Sequence, residues 1–261
     1  MRHRNTSWNR VADWYRDYLD QTNTYQRTVI FPRTAELLQP NAGGHYLDIA
    51  CGEGSFLAYL HQHYHVKNLM GLDAAPKLIQ AARAKKITGA KFVVGDAQHF
   101  SQLCAGQQFT GASCILALQN LNPFAPVLAE ASRVLLPGSY FVIVLNHPCF
   151  RLPRQSGWGW DQQRQLQYRR IDQYISSYQV AISAHPGKSP YLTTYSYHRP
   201  LHSYSAALHE AGFMIQTIEE WTSPKHSQPG PRAKAENRAR QEFPLFLALK
   251  AVKRPPIQPL Q

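Results

Sequence analysis

The sequence predicts an α/β fold on a mostly parallel sheet, and three features of it carry the prediction. The stretch YLDIACGEGSF, Tyr46 to Phe56, reads as strand, glycine loop, helix. Three apolar runs, ending in Asp48, Asp73 and Asp96, each deliver an acid to one edge of a sheet. Tyr140 to Leu145 is a nearly continuous apolar run, as a strand covered on both faces must be.

In chain order, Ser7 to Tyr18 comes first, with Trp8, Val11, Trp14, Tyr15 and Tyr18 at helical spacing. Thr34 to Leu38 reads as the helix feeding the first strand, closed by Pro40 and Gly43-Gly44. In the loop that follows, Gly52 and Gly54 permit a tight turn and close approach of a ligand to bare backbone. The helix opening near Gly54 aims free N–H groups outward. A dinucleotide fingerprint needs a third glycine where Leu57 stands, which weakens a nicotinamide or flavin reading. Asp73, closing NLMGLD, is placed to accept from ribose hydroxyls. Asp96, closing KFVVGD, is placed to accept from an adenine amine.

The helix Ser55 to His65 ends in HQHYH, whose alternate histidines cannot share one helical face, so no metal site is read there. Ala74 to Lys86 is a helix with Pro76 early in it, and Ser113 to Leu118 is the fourth strand. The run NLNPF compares poorly with the Asn-Pro-Pro-aromatic motif of adenine amino methyltransferases; Asn122-Pro123 more simply opens the next helix, with the proline in its first turn. That helix ends near Leu136 and Pro137-Gly138 turns the chain into the fifth strand. After it stand Asn146, His147 and Pro148, at the edge where ligands bind in open α/β sheets. His147 is therefore the candidate polar catalytic residue.

From Phe150 to His198 the composition turns polar, basic and aromatic, and YISSYQVAIS and TTYSYH alternate as strands do. Some fifty residues exceed a helical crossover, so an inserted cap with an antiparallel hairpin is predicted above the site. Trp158, Trp160, Tyr168, Tyr174, Tyr195 and Tyr197 are candidates for an aromatic pocket, and Trp158, Trp160 and His198 for substrate contact. A helix from Leu201 to Glu210 stopped by Gly212, a strand to Trp221, a basic loop with a short helix, and a last strand from Leu245 to Val252 follow.

The chain has 261 residues, 44% of them hydrophobic, enough for one α/β domain with a modest insertion. The run of about 18 apolar residues that a membrane span needs is missing, and the start lacks the apolar core of a signal peptide, so a cytoplasmic protein without a membrane partner is expected. Cys51, Cys104, Cys114 and Cys149 form no CxxC pair and read as reduced thiols. The formal net charge of +12 raises a nucleic-acid partner, but the arginines are dispersed, which favours solvated surface or a small acidic substrate.

LDIACGEGSF, GLDAAPKLI, VVGDAQHF, SCILALQNL and ASRVLLPGSYFVIVLNHP, in this order and at these separations, resemble the class I S-adenosylmethionine-dependent methyltransferases of the type 11 small-molecule group, over residues 8 to 252. Ala50 stands where many members have glycine, and Ser139 replaces the second glycine of the usual PGG turn. The resemblance implies a three-layer sandwich: a seven-stranded mostly parallel sheet with an antiparallel last strand and helices on both faces, plus the inserted cap after strand five. It divides the chain into a helical lid and lead-in (1–45), a cofactor-binding core (46–149), the cap (150–198), completion of the sheet (199–254) and a tail (255–261).

It also implies S-adenosylmethionine as cofactor, held by Asp48, Ala50, Cys51, Gly52 and Gly54 at the first strand, Asp73 and Ala74 at the second, and Asp96, Ala97 and Leu116 beyond. Tyr25 is a lid residue toward the cofactor and Tyr15 one toward the substrate. The reaction implied is methyl transfer to an oxygen, nitrogen or carbon of a small molecule. An RNA or tRNA methyltransferase and a cofactor-binding but idle scaffold are the alternatives, and a nicotinamide oxidoreductase is the weakest.

Overall fold

The computed structural model describes residues 8–9, 23–185 and 189–255; the side chains of 183–185 and 189–193 are left aside. Tyr15 and most of the N-terminal helix expected at Ser7 to Tyr18 lie outside the described residues. Gln26–Ile30 form a π-helical turn leading directly into α1, Phe31–Leu38, longer than the five residues expected because the turn and Pro32 extend it backward. The core then alternates β1 (His45–Ile49), α2 (Ser55–Tyr64), β2 (Asn68–Asp73), α3 (Pro76–Ala84), β3 (Ala90–Val94), β4 (Phe109–Ile115), α4 (Ala125–Val134) and β5 (Leu135–Asn146).

Two hairpins follow, β6 (Ser156–Asp161) with β7 (Leu166–Ile171), and β8 (Tyr178–His185) with β9 (Ser189–His198). The chain closes with α5 (Leu201–Glu210), β10 (Phe213–Trp221), α6 (Ala233–Glu242) and β11 (Phe246–Lys253). Seven strands make the main sheet in the order β10-β11-β5-β4-β1-β2-β3. The pairs β5–β4, β4–β1, β1–β2 and β2–β3 are parallel, and β11 runs antiparallel to both its neighbours, as the resemblance implied.

Burial explains the pattern. In β5, Phe141 to Leu145 are all buried, because one apolar cluster, with Phe141, Ile143 and Leu145, covers one face and a second, with Val142 and Val144, the other. Three expectations need correction. Pro137-Gly138 does not precede the fifth strand but lies inside it: Phe109 opposes Leu135 and Gly111 opposes Tyr140, so the extra residues form a bulge, with Gly138 at φ +80°. Pro123 lies in a loop, and the proline in the first turn of α4 is Pro126. The polar segment PRQSGWGWDQQRQLQYRR contains a hairpin of its own, where one hairpin was expected in the whole cap. Among the described residues no helix is long and apolar enough to cross a membrane.

Candidate active site

The strand order reverses between β1 and β4, and at such a point the loops beyond the carboxyl ends part to leave a crevice. A cavity of about 460 Å³ lies there. Its floor is the β1 loop (Ala50, Gly52), the end of β2 (Asp73, Ala74) and the loop after β3 (Gly95, Asp96, Ala97). One side is Ile115 to Ala117 with Gln119, Asn120 and Leu121, and Asn146 closes β5 beside them. Ile182 and Thr194 to Tyr197 of the second hairpin roof it, and Trp8, Gln26 and Leu78 complete the wall.

The floor is held by backbone donors. Gly52 N–H donates to Asp73 Oδ2 at 2.9 Å and Ala75 N–H to Oδ1 at 2.8 Å, so the β2 carboxylate fixes the β1 loop while lining the cavity. Burial pushes the pKa of Asp73 up, and the hydrogen bonds from Ala75, Gly52 and Ala74 pull it back. Asp96 is exposed at the rim, with Oδ1 accepting from Gln98 N–H at 2.9 Å. Glu53 points away from the cavity: buried, it accepts from Lys85 Nζ at 2.9 Å and Ser55 Oγ at 2.8 Å, tying the loop to α2 and α3.

Two of the lining residues carry positive φ without being glycine, Ala50 at +56° and Leu116 at +53°. Leu116 is locked by three hydrogen bonds. Its N–H donates to Val144 O at 2.7 Å, and its carbonyl accepts from Gln119 Nε2 at 3.0 Å and Asn120 Nδ2 at 3.2 Å. Strain held by such over-determination is typical of ligand sites.

Several expected residues lie elsewhere. Asp48 and Cys51 line a side cavity of about 40 Å³ beneath the β1 loop. Asp48 is buried with Ser113 Oγ donating to it at 2.7 Å, and desolvation raises its pKa to about 7. Burial, with Asp73 and Asp48 nearby, pushes the Cys51 thiol well above its usual range, so it stays protonated. Gly54 lines neither cavity. At φ +73° a Cβ there would meet the Phe92 ring at 2.6 Å, so this glycine serves the packing of α2 on the sheet. Tyr25 is likewise outside both: its hydroxyl bonds Ser223 Oγ at 2.8 Å and its ring stands edge-on to Phe246.

His147 is not at the cavity wall; its neighbour Asn146 is. The imidazole is buried, its Nδ1 accepts from Cys149 N–H at 3.1 Å, and its Nε2 therefore carries the proton toward Glu220 Oε1 at 2.7 Å. Burial lowers its pKa against the pull of Glu220. Both imidazole nitrogens are engaged outside the cavity, by Cys149 N–H and by Glu220.

Trp158 and Trp160 are also displaced from the expected pocket. Trp158 stands edge-on to Phe243 at 5.5 Å with Arg169 over its ring, and Arg232 lies over Trp160. The first hairpin thus packs on the end of α6, and it is the second that roofs the cavity. His198 anchors that roof, donating through Nε2 to Tyr174 O at 2.6 Å. Beside it Arg199 donates to Leu121 O at 2.7 Å and Asn122 Oδ1 at 3.1 Å, clamping the base of β9 to the turn after β4.

Four amides are among the lining residues that the sequence does not single out: Gln26, Gln119, Asn120 and Asn146. The side-chain oxygens of Gln26 and Gln119 are buried without a hydrogen-bond partner. A signal for three of them was present, since each lies within a few residues of the carboxyl end of a central strand. Gln26 owes its place to the π-helical turn, which has no comparable sequence mark.

Residues 47–143 match the family described as Methyltransferase domain. The O-methyltransferase cnsE of Penicillium expansum is 32% identical over 121 residues, 43% of this chain and 42% of that one. The fatty-acid O-methyltransferase of Mycolicibacterium smegmatis is 30% identical over 112 residues, 42% of this chain and 40% of that one. The matched stretch thus spans less than half the length of these relatives. A crystal structure of an S-adenosylmethionine dependent methyltransferase from Mesorhizobium loti superposes with a TM-score of 0.65 and 24% identity, over 88% of this chain and 98% of that one. With a match to a methyltransferase domain at 47–143 and this strand order around it, the chain has the fold of the class I S-adenosylmethionine-dependent methyltransferases.

Proposed function

We propose that this protein binds S-adenosylmethionine on the floor of the 460 Å³ cavity and transfers its methyl group to a small molecule held under the second hairpin. The observation that carries the reading is the donor set of that cavity. Asp73 and Asp96 contribute carboxylates, Gln26 contributes an unpaired buried amide oxygen, and no Lys, Arg or His stands among the described lining residues. Such a wall suits a cation that carries hydroxyl, ammonium and amine donors. When bound, the sulfonium supplies a methyl carbon that exchanges its bond to sulfur for one to the acceptor, the bonding pair passing to sulfur.

The chain's own contribution is alignment and exclusion of water. Asp73 retains lone pairs for donors from the ligand beyond its backbone bonds from Ala75, Gly52 and Ala74, and the hydrogen-bonded Leu116 turn lines the cavity. Thr194 to Tyr197 cover it. The two carboxylates of the described wall are taken by the cofactor in this reading and no His stands beside them, so the acceptor's proton leaves to solvent or the acceptor arrives ionised. The two relatives described above, both O-methyltransferases, favour an oxygen acceptor.

The test is transfer of labelled methyl from S-adenosylmethionine to a metabolite extract. Label appearing in small organic products, and disappearing with Tyr197→Ala, supports the reading. Intact cofactor binding with no labelled product identifies an idle scaffold, and label confined to RNA redirects the acceptor class.

A further inference from the structure

Two carboxamides of the cavity wall are fixed with opposite polarity. Asn146 Oδ1 accepts from Arg151 Nη1 at 2.9 Å. That bond leaves Nδ2, which can only donate, as the end of this amide available to a ligand. Arg151 is itself seated, its guanidinium 5.4 Å from the centre of the Phe246 ring. Gln119 is held the other way round. Its Nε2 donates to Leu116 O at 3.0 Å, and its Oε1 is buried without a partner in a residue only 7% exposed. The two amides are close neighbours in the fold, since β4 pairs with β5 through Ile115 and Val144, and Leu116 N–H donates to Val144 O, two residues before Asn146.

We propose that Asn146 and Gln119 select the methyl acceptor, taking an uncharged molecule that bears a carbonyl oxygen and, on the same small framework, the hydroxyl or amine to be methylated. This rests on the methyl-transfer reading above. Asn146 Nδ2 donates to the carbonyl, and Gln119 Oε1 accepts from the hydroxyl or amine. A carboxamide takes up no proton near neutral pH, so Gln119 orients the nucleophile and leaves its proton to solvent. Arg151 is a positioning residue: without it the amide of Asn146 is free to turn over and offer its oxygen. Apolar Ile115, Leu121 and Tyr197 on the same cavity receive the body of the acceptor.

The experiment measures, by ligand-observed NMR titration, how three fragments bind the protein saturated with S-adenosylhomocysteine. They are 3-hydroxyacetophenone, 3-methoxyacetophenone, which lacks the donor, and 3-ethylphenol, which lacks the carbonyl. The hydroxyketone is expected to bind about tenfold tighter than either analogue. Asn146→Asp, which keeps the partner of Arg151 but removes the donor, should erase its advantage over the ethylphenol only. Arg151→Met should reproduce that pattern and Arg151→Lys restore part of the preference. Gln119→Met should erase the advantage over the methoxy compound only. Affinity for S-adenosylhomocysteine should stay within about twofold throughout.

Equal binding of the three fragments to the unmodified protein overturns the proposal without recourse to any variant. A fall in S-adenosylhomocysteine affinity in the Asn146 or Gln119 variants also overturns it, by making these amides cofactor contacts. Failure of the unmodified protein to bind S-adenosylhomocysteine sinks the methyl-transfer reading itself and this proposal with it.

Discussion

Asp48 is buried under the β1 loop, and its pKa is raised from 3.8 to about 7 by loss of water, with the nearby charge of Asp73 adding to the effect. The folded protein therefore binds this proton more tightly than the unfolded chain. The contribution of Asp48 to stability is fully present below about pH 4 and is lost as the pH rises toward 7, on the order of 4 kcal/mol for a shift of this size. Asp48→Asn keeps an acceptor for Ser113 but does not ionise. Urea unfolding between pH 5 and 8 should accordingly show a flatter profile in the variant, and parallel profiles would rule the buried proton out. His147 acts with the opposite sign. Its lowered pKa makes stability fall as the solution is acidified below about pH 6.5. Ala50 offers a second test at this scale. A left-handed conformation costs a side chain about 1 to 2 kcal/mol, part of which glycine gives back as chain entropy. Ala50→Gly should raise unfolding free energy by about 0.5 to 1 kcal/mol in chemical denaturation, and a loss would mean the turn is not strained.

Among the elements, the two hairpins divide roles that the sequence could not apportion. The first is joined to the body through a train of rings, His147 to Phe150 to Phe243 to Trp158, while the second lies over the cavity. Trp158 is 46% exposed, so Trp158→Ala should cost about 2 kcal/mol of stability and leave cofactor affinity unchanged. Tyr197→Ala should instead reduce turnover more than it lowers the melting temperature. Thermal melts beside labelled-methyl assays check both, and loss of turnover in a well-folded Trp158 variant would return the first hairpin to the site.

What could be read from sequence follows the same division. The strands β1 to β5, α5 and the acids Asp73 and Asp96 announced themselves through local periodicity and through the rule that ligands sit at carboxyl strand ends. The roof did not, because which hairpin covers the cavity depends on contacts such as Arg199 with Leu121, 78 positions apart in the chain. At the end of β5 the sequence favours His147 over Asn146, because imidazole is the more reactive group. The strand end turns the amide toward the cavity and the imidazole toward Glu220, a choice set by pairing with β11.

At the scale of the molecule, the chain carries a net charge of +12, yet no Lys, Arg or His lines the cavity among the described residues. The arginines of the first hairpin present no single stripe. Arg169 turns inward to Phe150 O and Ser156 Oγ, Arg170 pairs with Asp172, and Arg164 pairs with Asp161. A duplex or single strand should therefore bind weakly, losing affinity steeply with salt, and without effect on methyl transfer to a small acceptor. The central claim is that the acids at the ends of β2 and β3 hold a sulfonium nucleoside, and calorimetric titration of S-adenosylmethionine into the wild-type protein and into Asp73→Asn tests it most directly. Micromolar affinity, about 8 kcal/mol, is expected for the wild type, with a loss of about 1.5 to 3 kcal/mol in the variant. Absence of heat with S-adenosylmethionine while a nicotinamide dinucleotide binds, or undiminished affinity in a folded Asp73→Asn protein, would contradict the account.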